Sequence, residues 1–281
     1  MGIGGGSGIP FPLEHFRRFR SCLARGLESM HGMAQFTWIP FYEELADALV
    51  GWRGRQKELV AFLEQQRAKG RVVTPLSDQD ASGKRELLTQ IDPFTFLGSF
   101  NRGTTVENRL ALASDIRVQF GLKAAAPQDF AGIPVLNNQR SWFISYKKDR
   151  KETDVAKLWD IFEAALAPAG LEGPSFGQAF DAALEVKGTN LNLTMGLFWI
   201  RPRKYLSLDG TMRSFLGLTL PAGGLSFKFY KATLQTTTAT RGSDWPTLSV
   251  AAWQAAPPAP VGSNAPAGPS RPRSPTGRMA C

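Results

Sequence analysis

Histidine and cysteine are absent from residues 33–256 of this chain. The two histidines, His15 and His31, precede that stretch, and Cys22 and Cys281 lie near opposite ends. Serine–histidine and cysteine–histidine catalysis, zinc deaminase sites and HExxH protease sites all require an imidazole or a thiolate. We therefore exclude these mechanisms for the central region, together with a disulfide framework and a cysteine metal site.

A phosphate-binding loop is also missing. The pattern GxxxxGK[ST] needs glycine amides around a phosphate and a lysine that reaches it. The only Gly-Lys pair, Gly83-Lys84, is followed by Arg85 and lacks the upstream glycine. The glycines of GIGGGSG follow no strand, so we interpret them as part of a flexible leader. We expect no nucleotide hydrolysis, no cofactor and no bound metal.

Long hydrophobic runs are scarce. No stretch reaches the roughly 18 uninterrupted apolar residues that a membrane helix requires. The start of the chain has basic residues but no apolar run that leads to a cleavage site, so it is a poor signal peptide. We expect a cytoplasmic protein with no membrane partner.

The net charge is +9, because 33 basic side chains outnumber 24 acidic ones. Residues 1–32 contribute +2 and residues 257–281 contribute +3, which leaves +4 for the residues between them. A basic domain is compatible with a polyanion such as DNA. Ordinary surface charge explains +4 about as well, so charge alone does not identify a partner.

Composition divides the chain into three regions. Residues 1–32 are rich in glycine and then arginine, and we expect a disordered leader there. Residues 257–281 are dominated by proline, alanine and glycine, which predicts a disordered tail. Residues 33–256 have the patterning of one mostly α globular domain with a minor β component.

Apolar residues recur at helical spacing through most of this domain. Thr104 and Glu107 fit a capping box before a helix that Gly121 ends, and Thr153 is expected to cap the next helix. Other helices are predicted around FYEELADALVGW, LVAFL, SFGQAFDAALEV, LNLTMGLFWI and LDGTMRSFLGL. Strands are predicted for IPVLNN, SWFISY and the long β-prone run LSFKFYKATLQTTTAT.

Residues 101–103, Asn-Arg-Gly, stand between an aromatic segment and a predicted helix start. A basic residue and exposed amides at a helix start can hold a phosphate. The alternative is a tight turn whose neighbours Phe94, Phe96 and Phe100 belong to the core. The residues alone favour the tight turn.

A second cluster interleaves basic, amide and aromatic residues within a short stretch. Guanidinium groups bind phosphates and aromatic rings stack on bases, so such a stretch suits a nucleic-acid backbone. The residues alone support this surface and an ordinary packed segment equally. The cluster contains Asn190, Asn192, Arg201, Arg203, Lys204, Tyr205, Asp209 and Arg213.

Asp209 is the one carboxylate in that basic cluster. Helix-hairpin-helix glycosylases extrude a base and use an aspartate to stabilise cationic sugar character, and RPRKYLSLDGTMRSFL has a distant similarity to the segment that carries it. The chain has no clear hairpin glycine motif, only Lys187-Gly188. A helix-capping aspartate is the simpler interpretation.

Several long phrases resemble, in order and spacing, the region before the motor in McrB-like AAA+ ATPases of modification-dependent restriction systems. They are FTWIPFYEELADALVGWR, IDPFTFLGSFNRGTTVENR, DFAGIPVLNNQRSWF, DVAKLWDIFEAAL and NLTMGLFWIRPRKYLSLD, and the resemblance spans about residues 36–218. WPTLSVAAWQA is similar to the end of that region. Where family members read LDSRNRWFL, this chain has LDGTMRSFLGL, which retains Asp209 and Arg213.

The resemblance implies a DNA-recognition module without the AAA+ motor, which would work with a motor or nuclease subunit encoded nearby. Arginine and lysine would bind phosphates, and asparagine amides would read a base edge of DNA that carries a modification. The alternatives are a glycosylase-like enzyme using Asp209 and a helical platform that docks a partner protein. The expected DNA-binding residues are Asn101, Arg102, Asn137, Asn138, Asn192, Arg201, Lys204, Tyr205 and Arg213.

Overall fold

The computed structural model describes residues 36–256, and these residues are predominantly helical. The prediction of a mostly α domain with a minor β component is confirmed, whereas the predicted leader and tail lie outside the described residues. The helices are α1 (Trp38–Leu49), α2 (Gln56–Ala68), α3 (Pro93–Gly98), α4 (Val106–Phe120), α5 (Asp154–Leu166), α6 (Phe176–Leu184), α7 (Asn192–Ile200), α8 (Gly210–Leu216), α9 (Phe227–Arg241) and α10 (Trp245–Ala255).

Helix α7 lies at the centre of the core. Every residue from Leu193 to Ile200 is buried, which is the pattern of a helix surrounded by protein on all sides. It packs against α1, α3 and α5. A Cβ at Gly196 would overlap the ring of Phe94 in α3, so glycine is needed for this close approach.

Helix α4 presents one side to the core and the other to solvent. Its buried residues are Arg109, Leu112, Ala113 and Ile116, which follow the i, i+3, i+4, i+7 spacing of a single helix face. Val118, near the end of the same helix, is 78% exposed. An arginine therefore occupies an inward position at the first turns of α4.

Three strand predictions are wrong. IPVLNN and SWFISY are irregular, apart from a single bridge between Leu136 and Arg102. The β-prone run forms α9, where the hydroxyls of Thr233 and Thr237 donate to carbonyls four residues earlier, at 2.9 and 2.7 Å. Burial of Tyr230, Thr233, Leu234 and Thr237 on one helical face overrides the β propensity of the threonines.

The strands that do form are short. β1 (Ser77–Gln79) and β2 (Arg85–Leu87) pair antiparallel as a hairpin. Short helical turns at Val50–Arg55 and Gly170–Glu172 complete the regular structure of the described region.

The predicted helix caps are partly correct. Thr105, not Thr104, is the N-cap of α4, and its hydroxyl accepts from the Asn108 amide at 3.2 Å. Gly121 ends α4 in the left-handed conformation, as predicted. Thr153 stands at the N-cap of α5, but its hydroxyl makes no cap hydrogen bond.

The described residues, 36–256, contain neither a membrane-spanning helix nor a cluster of metal ligands. None of their helices combines the length and the apolar character needed to cross a membrane. No three side chains among their histidines, cysteines and carboxylates lie close enough together to hold a metal ion.

Candidate functional site

A pocket of about 300 Å³ lies where four stretches of chain meet. Its walls come from residues 102–109, 130–135, 209–212 and 249–253. Apolar and aromatic side chains supply most of the surface, and two arginines and one aspartate supply the charged groups. This composition and size are typical of the smaller ligand sites in proteins.

Arg109 is the more deeply buried of the two arginines that line the pocket. Its side chain is 5% exposed, and its guanidinium lies 3.9 Å from the ring centroid of Phe130. One nitrogen, Nη2, donates to Asn101 Oδ1 at 2.8 Å, and Tyr42 donates its hydroxyl to the same oxygen at 2.7 Å. The Nε–H group is buried and has no hydrogen-bond partner in the described residues.

No carboxylate balances the charge of Arg109 within the described part of the chain. Burial lowers the pKa of Arg109, and Tyr42 opposes this effect. Burial likewise raises the pKa of Tyr42, which Arg109 partly offsets. A buried cation that is neither paired nor fully hydrogen-bonded is costly, and a bound ligand, ion or water is one explanation for such a group.

Arg102 lines the same pocket, but each of its three guanidinium nitrogens donates a hydrogen bond. Its Nε donates to Asn138 Oδ1 at 3.2 Å, Nη1 to the Val73 carbonyl at 3.0 Å and Nη2 to the Asn138 carbonyl at 2.8 Å. All three acceptors are neutral, and burial lowers the pKa of Arg102. Arg102 therefore holds the loop at Asn138 in place and adds positive potential to the pocket.

Asp209 faces the pocket from the start of α8. Its Oδ1 accepts from the amides of Thr211 and Met212 at 2.8 and 3.1 Å, and its Oδ2 accepts from the Ser207 hydroxyl at 2.8 Å. Both oxygens are thus engaged in the N-cap of the helix. The capping interpretation of Asp209 is confirmed.

The predicted site residues divide into those beside the pocket and those elsewhere. Arg102 and Asp209 line it, and Asn138 contacts Arg102 from the exposed loop that follows Val135. Asn137 is exposed in the same loop and accepts from the Gln139 amide at 2.9 Å. Asn101 is fully buried and accepts from Arg109, and Phe94, Phe96 and Phe100 belong to the core, as the alternative to a phosphate site predicted.

The second predicted cluster does not form one surface. Arg201 donates to the carbonyls of Glu43 and Ile200 and pairs with Asp47, so it joins the end of α7 to α1. Tyr205 is buried, stacks on Phe176 and donates to the Ala165 carbonyl at 2.9 Å. The others are exposed or half-buried and do not line the pocket: Asn190, Asn192, Arg203, Lys204 and Arg213.

The central pocket residue, Arg109, was not predicted from the sequence. A signal was present, since Arg109 precedes Leu112, Ala113 and Ile116 by three, four and seven residues and so shares their helix face. Phe130 and Trp253 were missed as well. Their distance in sequence from Arg109 gives no local pattern that connects them.

A family model described as a domain of unknown function, DUF8425, matches residues 38–255. The chain belongs to this family. The DUF8425 match begins with α1 and ends with α10, so it includes all four stretches that form the pocket. Neither a curated protein nor a solved structure matches the chain.

The chemistry of this DUF8425 pocket favours a ligand that accepts hydrogen bonds. Arginine is a donor only and stays charged, so Arg109 in the pocket wall favours an anion or an acceptor-rich group. The ring of Phe130 and the side chains of Met212 and Trp253 provide apolar surface beside it. A group that is flat, partly apolar and edged with acceptors fits these requirements.

Proposed function

We propose that this domain is a DNA-recognition module and that its pocket receives one acceptor-bearing group of the DNA. The observation that carries the proposal is Arg109, a buried cation with an unpaired Nε–H and no carboxylate partner in the described region. Nucleic acids supply what this residue lacks, because both phosphates and base edges present oxygen or nitrogen acceptors.

The walls of the pocket support a nucleobase as that group. A base is flat and apolar on its faces and carries acceptors on its edge, and arginine commonly makes a bidentate contact to such an edge. The pocket combines Arg109 with the aromatic side chains of Phe130 and Trp253. A pocket that receives a single base is used by proteins that take a base out of the duplex.

The resemblance to the pre-motor region of McrB-like ATPases supports the same proposal. In those systems a front domain recognises nucleic acid and an AAA+ ring drives a nuclease. We propose that this domain acts in such a restriction or defence system, with a motor or nuclease subunit as partner, and that a base modification is read in the pocket.

The contacts of Asp209 favour binding over glycosylase chemistry. A glycosylase needs a carboxylate that faces the reacting sugar, whereas both oxygens of Asp209 already accept hydrogen bonds at the start of α8. The geometry thus gives Asp209 a helix-capping role at the pocket wall. We propose a module that binds and does not cleave.

Blocking the pocket tests this function. Val106 lines the pocket at the first turn of α4, and Val118 lies on the same helix but is exposed away from it. The full chain is titrated with matched unmodified and cytosine-methylated duplexes at two salt concentrations, and Val106→Trp is compared with Val118→Trp. We expect Val106→Trp to lose at least tenfold in affinity and Val118→Trp to bind as the unsubstituted protein does.

Equal binding by the two variants would contradict a role for the pocket. Binding that depends on salt but not on modification would restrict the proposal to general DNA binding. The absence of binding to both duplexes by the unsubstituted protein would favour the protein-docking alternative.

A further inference from the structure

A second surface lies on the irregular segment 140–150, which we name the Tyr146 loop. A buried ion pair between Asp78 and Arg150, with N–O separation 2.7 Å, fixes this loop to strand β1. Asp78 also accepts from the Lys147 amide at 2.7 Å, and the Lys148 amide donates to the Gln79 carbonyl at 3.0 Å. The loop is therefore held in one conformation although it has no regular secondary structure.

The Tyr146 loop exposes an aromatic pair. Tyr146 is 45% exposed, and its ring packs edge-to-face on Trp142 with centroids 5.5 Å apart. Trp142 is in turn fixed by a 2.7 Å hydrogen bond from Nε1 to the Pro75 carbonyl. A large exposed aromatic side chain held by its neighbours costs little conformational entropy when it binds a partner.

Positive charge flanks this pair on the chain. Arg140, Lys147 and Lys148 are exposed, and none of them forms an ion pair with another described residue. Lys147 interacts electrostatically with Asp80 and Glu86, and Glu86 also pairs with Lys84, so the positive charge left near Tyr146 is mainly that of Arg140 and Lys148. Asp149 lies 3.8 Å from Lys187. The surface next to Tyr146 is thus both aromatic and basic.

We propose that the Tyr146 loop binds single-stranded nucleic acid, with a base stacked on Tyr146 and the backbone held by Lys148 and Arg140. Exposed aromatic rings combined with unpaired basic side chains are what sequence-independent single-strand binders use. Duplex DNA fits less well, because its bases are stacked inside and cannot reach a ring. This surface is separate from the pocket and is a second contact to nucleic acid.

The test is a fluorescence-anisotropy titration of a labelled oligothymidine with the full chain. Tyr146→Ala removes the ring, Tyr146→Phe retains it, and Lys148→Ala removes one charge. Lys57→Ala on α2 is the matched control, because Lys57 is also exposed and without an ion pair in the described region. Thermal unfolding of each variant shows that the fold is retained.

We expect Tyr146→Ala to weaken binding about tenfold, a change that corresponds to about 1.4 kcal/mol and lies within the range for one base–aromatic stack. Tyr146→Phe and Lys57→Ala should bind as the unsubstituted protein does, and Lys148→Ala should bind more weakly and with less salt dependence. Unchanged binding by Tyr146→Ala, or an equal loss with Lys57→Ala, would overturn the proposal.

The pocket-blocking variant Val106→Trp separates the two proposals. If oligothymidine binding is retained by Val106→Trp and lost by Tyr146→Ala, the loop is an independent contact, whatever the duplex experiments show. If Val106→Trp abolishes oligothymidine binding as well, the strand is bound at the pocket, and the Tyr146 loop is not a separate site.

Discussion

Arg109 and Asp92 are two of the buried charged residues that have no ionic partner in the described region, and they differ in what surrounds them. Arg109 faces a pocket, whereas Asp92 is fully buried at the N-cap of α3. By contrast, Asp78 and Arg150 are buried as a pair. Because isolated buried charges are unfavourable, substitution of Arg109 or of Asp92 should have a measurable effect.

Asp92 makes stability depend on pH. Burial raises the pKa of Asp92 from 3.8 to about 6, although its Oδ1 accepts from the Thr95 amide at 2.9 Å. The folded state then holds the proton more tightly than the unfolded state does. Stability from this group is therefore present below pH 4 and is lost as the pH rises to about 6. The shift corresponds to about 3 kcal/mol.

Asp92→Asn retains an acceptor for the Thr95 amide and cannot ionise. We expect the difference in free energy of unfolding between the variant and the unsubstituted protein to shift by up to about 3 kcal/mol, in favour of the variant, between pH 4 and pH 7. Urea titrations at several pH values measure it. Parallel stability profiles for the two proteins would show that Asp92 does not titrate in this range.

For single residues, the sequence predicted which aromatic side chains lie in the core, but it did not predict which side chains surround a buried charge. The expected core position of Phe94, Phe96 and Phe100 was correct, because clustered aromatics are normally buried. Arg109 was missed, since an arginine is normally assigned to the surface. Its position in the helical repeat indicated that it points inward. Its contacts with Phe130 and Asn101, which come from the folded structure, explain how the guanidinium is buried.

At the scale of elements, helices with strong apolar periodicity were predicted and the β structure was not. Helix α9 was mistaken for a strand because its threonines have β propensity, yet their hydroxyls bond to the preceding helical turn. The hairpin of β1 and β2 escaped prediction because each strand has only three residues and β2 is exposed throughout. Alternation of apolar and polar residues over only three positions does not distinguish a strand from a loop.

The stability of helix α8 depends on its N-cap, Asp209. Asp209→Ala removes the acceptor for the amides of Thr211 and Met212, and loss of such a cap costs about 1 kcal/mol. Asp209→Asn retains a capping oxygen and should be close to the unsubstituted protein in stability and in DNA binding. Chemical unfolding measures the stability of both variants, and titration with duplex DNA measures their binding.

A different pattern would assign Asp209 another role. If Asp209→Asn retained the stability of the protein but lost binding or base release as completely as Asp209→Ala, the carboxylate charge itself would be functional. The glycosylase-like alternative would then be favoured over a helix cap.

At the scale of the whole molecule, the pocket depends on contacts that no local pattern reveals. It joins residues near 105, 132, 210 and 251, which come together only through the packing of α4, α8 and α10 and the loop that contains Phe130. The sequence indicated two of its charged residues, Arg102 and Asp209, as members of unrelated clusters. It could not indicate that they share one cavity with Arg109.

The most direct measurement is DNA binding and thermal unfolding of Arg109→Met in parallel. Methionine fills the space without a charge, and Asn101 Oδ1 keeps its hydrogen bond from Tyr42. If Arg109 is retained for a ligand, affinity for DNA should fall at least tenfold while the unfolding temperature stays the same or rises, because an unpaired buried charge has been removed. Unchanged affinity, or a loss of affinity explained by a matching loss of stability, would contradict the account.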